Sequence, residues 1–188
     1  MDRGEWTIDD RKLRMAQQKK ISSNLLVTNR KEKEDNMLLP VRSILWPSDA
    51  SEAANQALEV ATEMAKQFGA KLYGLQVVSE IPTYTDDIPS MSNLDLQQYE
   101  QGLMQSARKS LEETLASKVP GNIEVEAAIL IGRAADVIID FAKERKIDLI
   151  VMSTHGRTGL SHLMIGSVAE NVIRYSPVPT LIIPAKKG

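Results

Sequence analysis

Residues 148–183 read DLIVMSTHGRTGLSHLMIGSVAENVIRYSPVPTLII, and the order of patterns inside this stretch decides the fold. DLIVM (148–152) is a short apolar run that reads as a buried strand. SVAENVIRY (167–175) has helical spacing, a Pro177-Val178-Pro179 turn follows, and TLII (180–183) is another short strand. Between the first strand and the helix lie three glycines, four hydroxyl residues, one arginine and two histidines. That much glycine and hydroxyl at a strand-to-helix junction suits a backbone that must come close to an oxygen-bearing group such as a phosphate.

Working outward, the same grammar repeats. VRSILW (41–46) reads as a strand ended by Pro47. Ala54, Ala57, Leu58, Ala61, Met64, Ala65 and Phe68 then fall at helical spacing, with Gly69 placed as a C-terminal cap. KLYGLQVV (71–78) is a second strand, and residues 79–93, with Pro82 and Pro89, form a loop. Leu96, Tyr99, Leu103, Ala107, Leu111 and Leu115 mark a long helix that stops before Pro120-Gly121. IEVEAAILI (123–131) is a third strand, and a helix spans about 134–146 after Gly132, with Val137, Ile138, Phe141 and Ala142 on one face. Strands alternating with helices call for a five-stranded parallel sheet, right-handed crossovers and helices on both faces. Such a doubly wound sheet takes its ligand outside the carboxyl ends of the strands, where the strand order reverses. Strands 1 and 4 are among the most continuously apolar, as central strands should be. Glycine, hydroxyl or carboxylate residues follow strands 1, 3 and 4.

The bulk properties narrow the function classes. The chain has 188 residues, enough for one α/β domain over 41–185 and an N-terminal extension over 1–40. The extension has nine basic and seven acidic residues, against 14 and 18 in the remainder, and its apolar residues share no helical face. It reads as a partly disordered arm or a short helix, or as a docking segment. A net charge of −2 and 4% aromatics count against a nucleic-acid or anionic-membrane binder. Cysteine is absent, which removes thiol chemistry and disulfides and fits a reducing, cytoplasmic setting. No apolar run approaches the roughly 18 residues needed to span a bilayer.

Segment 153–167 can be written S-x-x-G-(nine residues)-G-S, from Ser153 through Gly156 to Gly166-Ser167. It resembles the ATP-binding type of universal stress protein, whose motif is G-x-x-G-(nine residues)-G-[ST] at the same place. The flanks SVAENVIRYSPVPTLIIP and WPSDASEAA are similar to that family as well, so the resemblance runs from about Val41 to Pro184. It implies the adenine nucleotide alpha hydrolase-like fold and an ATP or AMP ligand with Mg²⁺. It further implies a homodimer through Thr180 to Ile183 and a role in stress response exerted by binding. It assigns the phosphates to Ser153, His155, Gly156, Arg157, Gly166, Ser167 and Val168. The nucleoside would lie beside Pro47, Ser48, Asp49, the Val77 backbone and Met152, with Gly132 beside the ribose.

The residues also carry plainer readings. Gly156 and Gly166 lack a Cβ and would let backbone N–H groups approach an anion, and the first turn of the helix at 167 adds its dipole, about 0.3–1 kcal/mol. Ser153 stands where the family has glycine: it strains the loop if that position needs a positive φ, or fits if it needs only a small side chain. Ala169 offers no hydroxyl where some relatives have Thr. Asp49 is a nucleotide or Mg²⁺ contact or an ordinary helix N-terminal charge, and Arg157 a phosphate clamp or a solvated loop charge. His155 and His162 lack the spacing of a metal site or a catalytic base. No catalytic residue or protein metal site is expected, and hydrolysis, if any, should be slow. Asp148 begins its strand at the end away from the ligand and is expected to be structural. The alternative within the same fold is a dimeric interaction module without a nucleotide.

Overall fold

A computed structural model describes residues 41–80, 93–155 and 165–185. The arm expected over 1–40, most of the loop expected at 79–93, and Gly156, Arg157 and His162 lie outside the described residues.

Five strands form one sheet: β1 (Ser43–Ser48), β2 (Lys71–Val78), β3 (Val125–Ile131), β4 (Leu149–Ser153) and β5 (Thr180–Ile183). All pairings are parallel and the order is β3-β2-β1-β4-β5. The order reverses between β1 and β4, as the doubly wound reading requires. Four helices connect the strands: α1 (Glu52–Phe68), α2 (Asn93–Lys118), α3 (Ala134–Glu144) and α4 (Ser167–Tyr175).

The period-2 alternation of the strands divides the core into two layers. Ile44, Trp46, Leu72 and Val151 pack with Ala54, Ala57, Leu58 and Ala61 of α1 and with Ala107, Leu111 and Leu115 of α2. Leu45, Leu75, Ile150 and Met152 pack on the other face with Ala135, Ile138 and Phe141 of α3 and Ala169 and Val172 of α4. Gly69, at φ +66, donates its N–H to the Ala65 carbonyl and ends α1 as its sequence position predicts. Gly74 keeps β2 close to α2: a Cβ there would lie 3.0 Å from Leu115 Cδ1. The apolar face of α2 is buried only from Ala107 onward, and Tyr99 is exposed.

Three sequence boundaries need correction. Pro47 does not end β1, which continues through it to Ser48. Its missing N–H acts on one side only: β1 keeps its register with β2 to Ser48, but pairs with β4 at Ile44 and Leu45 alone. The third strand begins at Val125 and not at residue 123. The helix expected to reach 146 stops at Glu144, because Lys146 turns left-handed at φ +51.

The amino ends of the strands are closed by polar contacts. Asp148 Oδ2 accepts from Arg42 N (2.8 Å), Ser43 N (2.9 Å) and Ser43 Oγ (2.9 Å), tying the entry of β1 to β4. This is the structural role expected of Asp148. Lys71 Nζ lies 2.8 Å from Glu126 and 3.0 Å from Glu124, and Arg145 meets Glu126 at 3.1 Å. The hydrogen bond to Glu126, then that to Glu124, hold Lys71 above the ordinary lysine range, and the bond from Lys71 holds Glu126 below the ordinary carboxylate range.

Candidate functional site

The carboxyl ends of the strands are built differently. β1 runs into a tight turn at Ser48-Asp49-Ala50-Ser51, whose side chains fold back onto its own backbone. Ser48 Oγ accepts from Ala50 N (3.1 Å), Asp49 Oδ1 from Ser51 N (3.0 Å), and Ser51 Oγ caps α1 by accepting from Ala54 N (3.1 Å). Ala50 sits at φ +63, a left-handed conformation that costs an L-residue roughly 1–2 kcal/mol. Trp46, fully buried, donates Nε1–H to the Ala54 carbonyl at 2.8 Å and pins the first turn of α1 to β1.

At the end of β4, Ser153 Oγ donates to the His155 carbonyl at 2.7 Å. Ser153 does not adopt a positive φ; among the described non-glycine residues only Ala50 and Lys146 do. The strained reading of Ser153 therefore does not hold, and its hydroxyl closes the turn that carries His155. Thr154 joins three segments through its backbone and side chain. Its N–H donates to the Ile183 carbonyl (3.0 Å), its carbonyl accepts from Gly166 N (2.9 Å), and its Oγ1 lies 2.8 Å from His155 Nδ1 and accepts from Ala185 N (3.3 Å).

Gly166 is the N-cap of α4 and, having no side chain, leaves the helix without a side-chain cap. Its φ of −61 is ordinary, so space and not conformation calls for glycine: a Cβ would lie 3.2 Å from the Thr154 carbonyl oxygen. The reason for glycine at 166 thus includes the chain's own backbone, beyond room for a ligand.

These three chain ends surround a cleft of about 320 Å³ at the reversal point between β1 and β4. Of the residues singled out in the sequence, Pro47, Ser48, Asp49, Val77, Met152, Ser153, His155, Gly166, Ser167 and Val168 all line it. Gly132 does not. Its φ of +146 and the Val137 Cγ2 atom, 2.8 Å from where a Cβ would stand, give it a reason internal to the fold.

Sequence reasoning missed Thr154, Ala54, Leu75 and Ile138, which also line the cleft. Leu75 was within reach, since it pairs with Pro47 across β1 and β2 and sits two residues from Val77, on the same face. Thr154 carries no motif, and only the tertiary contact with β5 reveals it. Asp49 is the one carboxylate lining the cleft among the described residues, and no described cluster of three His, Cys, Asp or Glu residues could hold a metal ion. The opening at α4 presents the positive end of a helix dipole.

The model of the Universal stress protein family matches residues 40–184. The chain belongs to the universal stress protein family. A family member from Methanocaldococcus jannaschii, MJ0531, is 31% identical over 146 residues, covering 78% of this chain and 84% of the relative. A second universal stress protein of that organism, MJ0577, has a solved structure. It matches with a TM-score of 0.66 at 27% identity, covering 80% of this chain and 100% of that one. A universal stress protein solved in complex with cAMP matches with a TM-score of 0.50 at 22% identity, over 78% of this chain and 98% of that one, a likeness of fold. No helix among the described residues is long and apolar enough to cross a membrane.

Proposed function

We propose that this universal stress protein binds an adenine nucleotide, ATP or AMP, in the cleft between β1 and β4 and acts by binding, as a regulatory module in a stress response. One observation carries the reading: the hydroxyl-bearing ends of β1 and β4 and the glycine start of α4, which has no side-chain cap, converge on one cleft at the switch point. The cleft's volume lies at the small end of the roughly 300–1,000 Å³ typical of small-molecule sites. Gly166, Ser167 and Val168 would offer backbone N–H groups to phosphate oxygens. Pro47, Val77 and Met152 would take the apolar faces of the nucleoside.

Mg²⁺ fits as the nucleotide's own ion. With a single carboxylate, Asp49, lining the cleft among the described residues, the ion would be held mainly by phosphates and water, as Mg²⁺ commonly is. When bound it would neutralise phosphate charge, and the chain's own groups would orient the nucleotide. Ser48 and Asp49, both turned onto the backbone of their own turn, are poor candidates for proton transfer, so the reading is of binding without efficient hydrolysis. A homodimer through β5 belongs to the same proposal. Thr180 to Ile183 form the outer strand next to β4 and are all half-buried, an edge that a second copy would cover.

Titration of the full chain with ATP–Mg²⁺ and with AMP, by calorimetry and thermal shift, tests the reading. Micromolar binding of ATP–Mg²⁺ is expected. No heat and no shift at millimolar nucleotide would overturn it in favour of an interaction module.

A further inference from the structure

The Nε2 atom of His155 is buried and has no hydrogen-bond partner among the described residues, and His155 is one of the residues that line the cleft. Its other nitrogen, Nδ1, sits 2.8 Å from Thr154 Oγ1. We propose that His155 presents Nε2–H to an oxygen of the bound nucleotide, in a tautomer fixed by Thr154. The proposal rests on the nucleotide reading of the cleft and adds to it a specificity-determining donor and the residue that positions it.

The argument is one of hydrogen-bond satisfaction. A threonine hydroxyl has one proton to donate and two lone pairs. Thr154 Oγ1 already accepts from the Ala185 N–H. If Nδ1 carried the ring proton, the hydroxyl would accept twice, and its own proton would have no acceptor in the described network. If the hydroxyl donates to Nδ1, every group on Thr154 is paired and the ring proton must sit on Nε2. The bond to Thr154 holds the ring, and the Ser153 hydroxyl on the His155 carbonyl holds the backbone that carries it. The result is an Nε2–H donor, and its complement is an oxygen acceptor on the phosphates or the ribose. The opposite tautomer would set a lone pair against those oxygens.

The same residue that fixes the ring also bonds the end of β5, through Thr154 N to Ile183 O and Thr154 Oγ1 to Ala185 N. Thr154 is therefore a positioning residue, and His155 the group that would touch the ligand.

Nitrogen-15 NMR of the full chain reads the tautomer directly. The chain has only two histidines, so His162→Gln assigns the His155 signals. Expected is a neutral Nε2–H imidazole in the free protein, with that nitrogen shifted on saturation with ATP–Mg²⁺. Thr154→Val should mix the tautomers and Thr154→Ser should preserve the original one. His155→Leu should lower ATP affinity about tenfold or more, the usual weight of one hydrogen bond to a charged group, and His155→Gln, which keeps a donor, should retain most of it. Melting curves establish that each variant is folded. Adenosine as a second ligand locates the acceptor: an effect confined to ATP and AMP means a phosphate, and an effect shared by adenosine means the ribose. An Nδ1–H tautomer in the free protein, or wild-type ATP affinity in folded His155→Leu, would overturn the proposal. Failure of the unaltered chain to bind ATP would instead remove the nucleotide reading and the ligand assigned here, and the tautomer of the free protein would still be read independently.

Discussion

The two ends of the sheet are made from the same strands and are built to opposite specifications. At the amino ends, Asp148 gathers three donors onto one oxygen, and Lys71, Glu124, Glu126 and Arg145 form a linked set of ion pairs. At the carboxyl ends, α4 starts without a side-chain cap. Of the three buried side-chain atoms without partners among the described residues, two, Gln76 Oε1 and His155 Nε2, also belong to this half. The contrast separates two jobs: the closed end fixes register and stability, while the open end keeps unsatisfied groups available. Low-satisfaction regions are where ligands act, because something added there has groups to satisfy.

The sharpest way to break that comparison is Asp148→Ala. It removes the acceptor of two backbone N–H groups, while the Ser43 hydroxyl keeps the Lys146 carbonyl 3.0 Å away, so a loss of about 1–3 kcal/mol is expected, a fall in Tm of roughly 3–10 °C. Nucleotide affinity of the folded variant should not change. A variant that melts normally but binds nucleotide poorly would show that the two ends are not separate in function.

Gly166→Val is the matching change at the open end. The new Cβ would crowd the Thr154 carbonyl, 3.2 Å from its ideal position, and the branches would crowd the start of α4. ATP affinity should fall by about thirtyfold or more, with a Tm change of only a few degrees. Undiminished affinity by calorimetry in a folded variant would mean that the anion does not sit at the helix start.

Ser153→Gly sharpens the comparison further, because it restores the family's residue. The structure gives Ser153 a bond to the His155 carbonyl and no positive φ to relieve. Glycine should therefore loosen the turn, lowering ATP affinity by about three- to tenfold for one hydrogen bond of roughly 1 kcal/mol. A tenfold gain in the same titration would contradict the turn described here.

The smallest effect belongs to the ion pairs. Glu126 is held below its ordinary 4.5 by the Lys71 bond, so its stabilising contribution is full above that value and disappears as pH falls through the lower folded value. Lys71 is held above its ordinary 10.5, so its contribution is full below 10.5 and disappears as pH rises through the higher folded value. Both side chains are a quarter to a third exposed, which screens the pair. Glu126→Gln should cost less than about 1 kcal/mol at neutral pH and flatten the acid limb of a pH–Tm profile below 4.5. An unchanged acid limb would assign that limb to other carboxylates.

Much of the fold was legible because strong breakers bound its apolar runs. β2 and β5 begin and end where the sequence says, between Gly69 and the Pro82 loop and after Pro179. Pro47 misleads because the effect of a missing N–H depends on which neighbour needed it. The end of α3 was hidden because Lys146, not glycine, takes the left-handed turn. The candidate site was legible where backbone chemistry dictates residue type, as at Gly166. It was illegible where a side chain's task is set by a distant partner, as with Thr154 and Ile183. Gly132 has a second reason to be glycine, since a Cβ there would meet Val137, a contact that spacing alone does not distinguish from a ligand.

Trp46 gives the molecule an optical handle. Its indole is shut off from water, its N–H is bonded to the Ala54 carbonyl, and Ala54 lines the cleft. The only other tryptophan is Trp6, so Trp6→Phe leaves a single emitter one residue away from the cavity. Its emission maximum should be that of a dry indole, and its intensity should follow filling of the cavity in real time, without any attached dye.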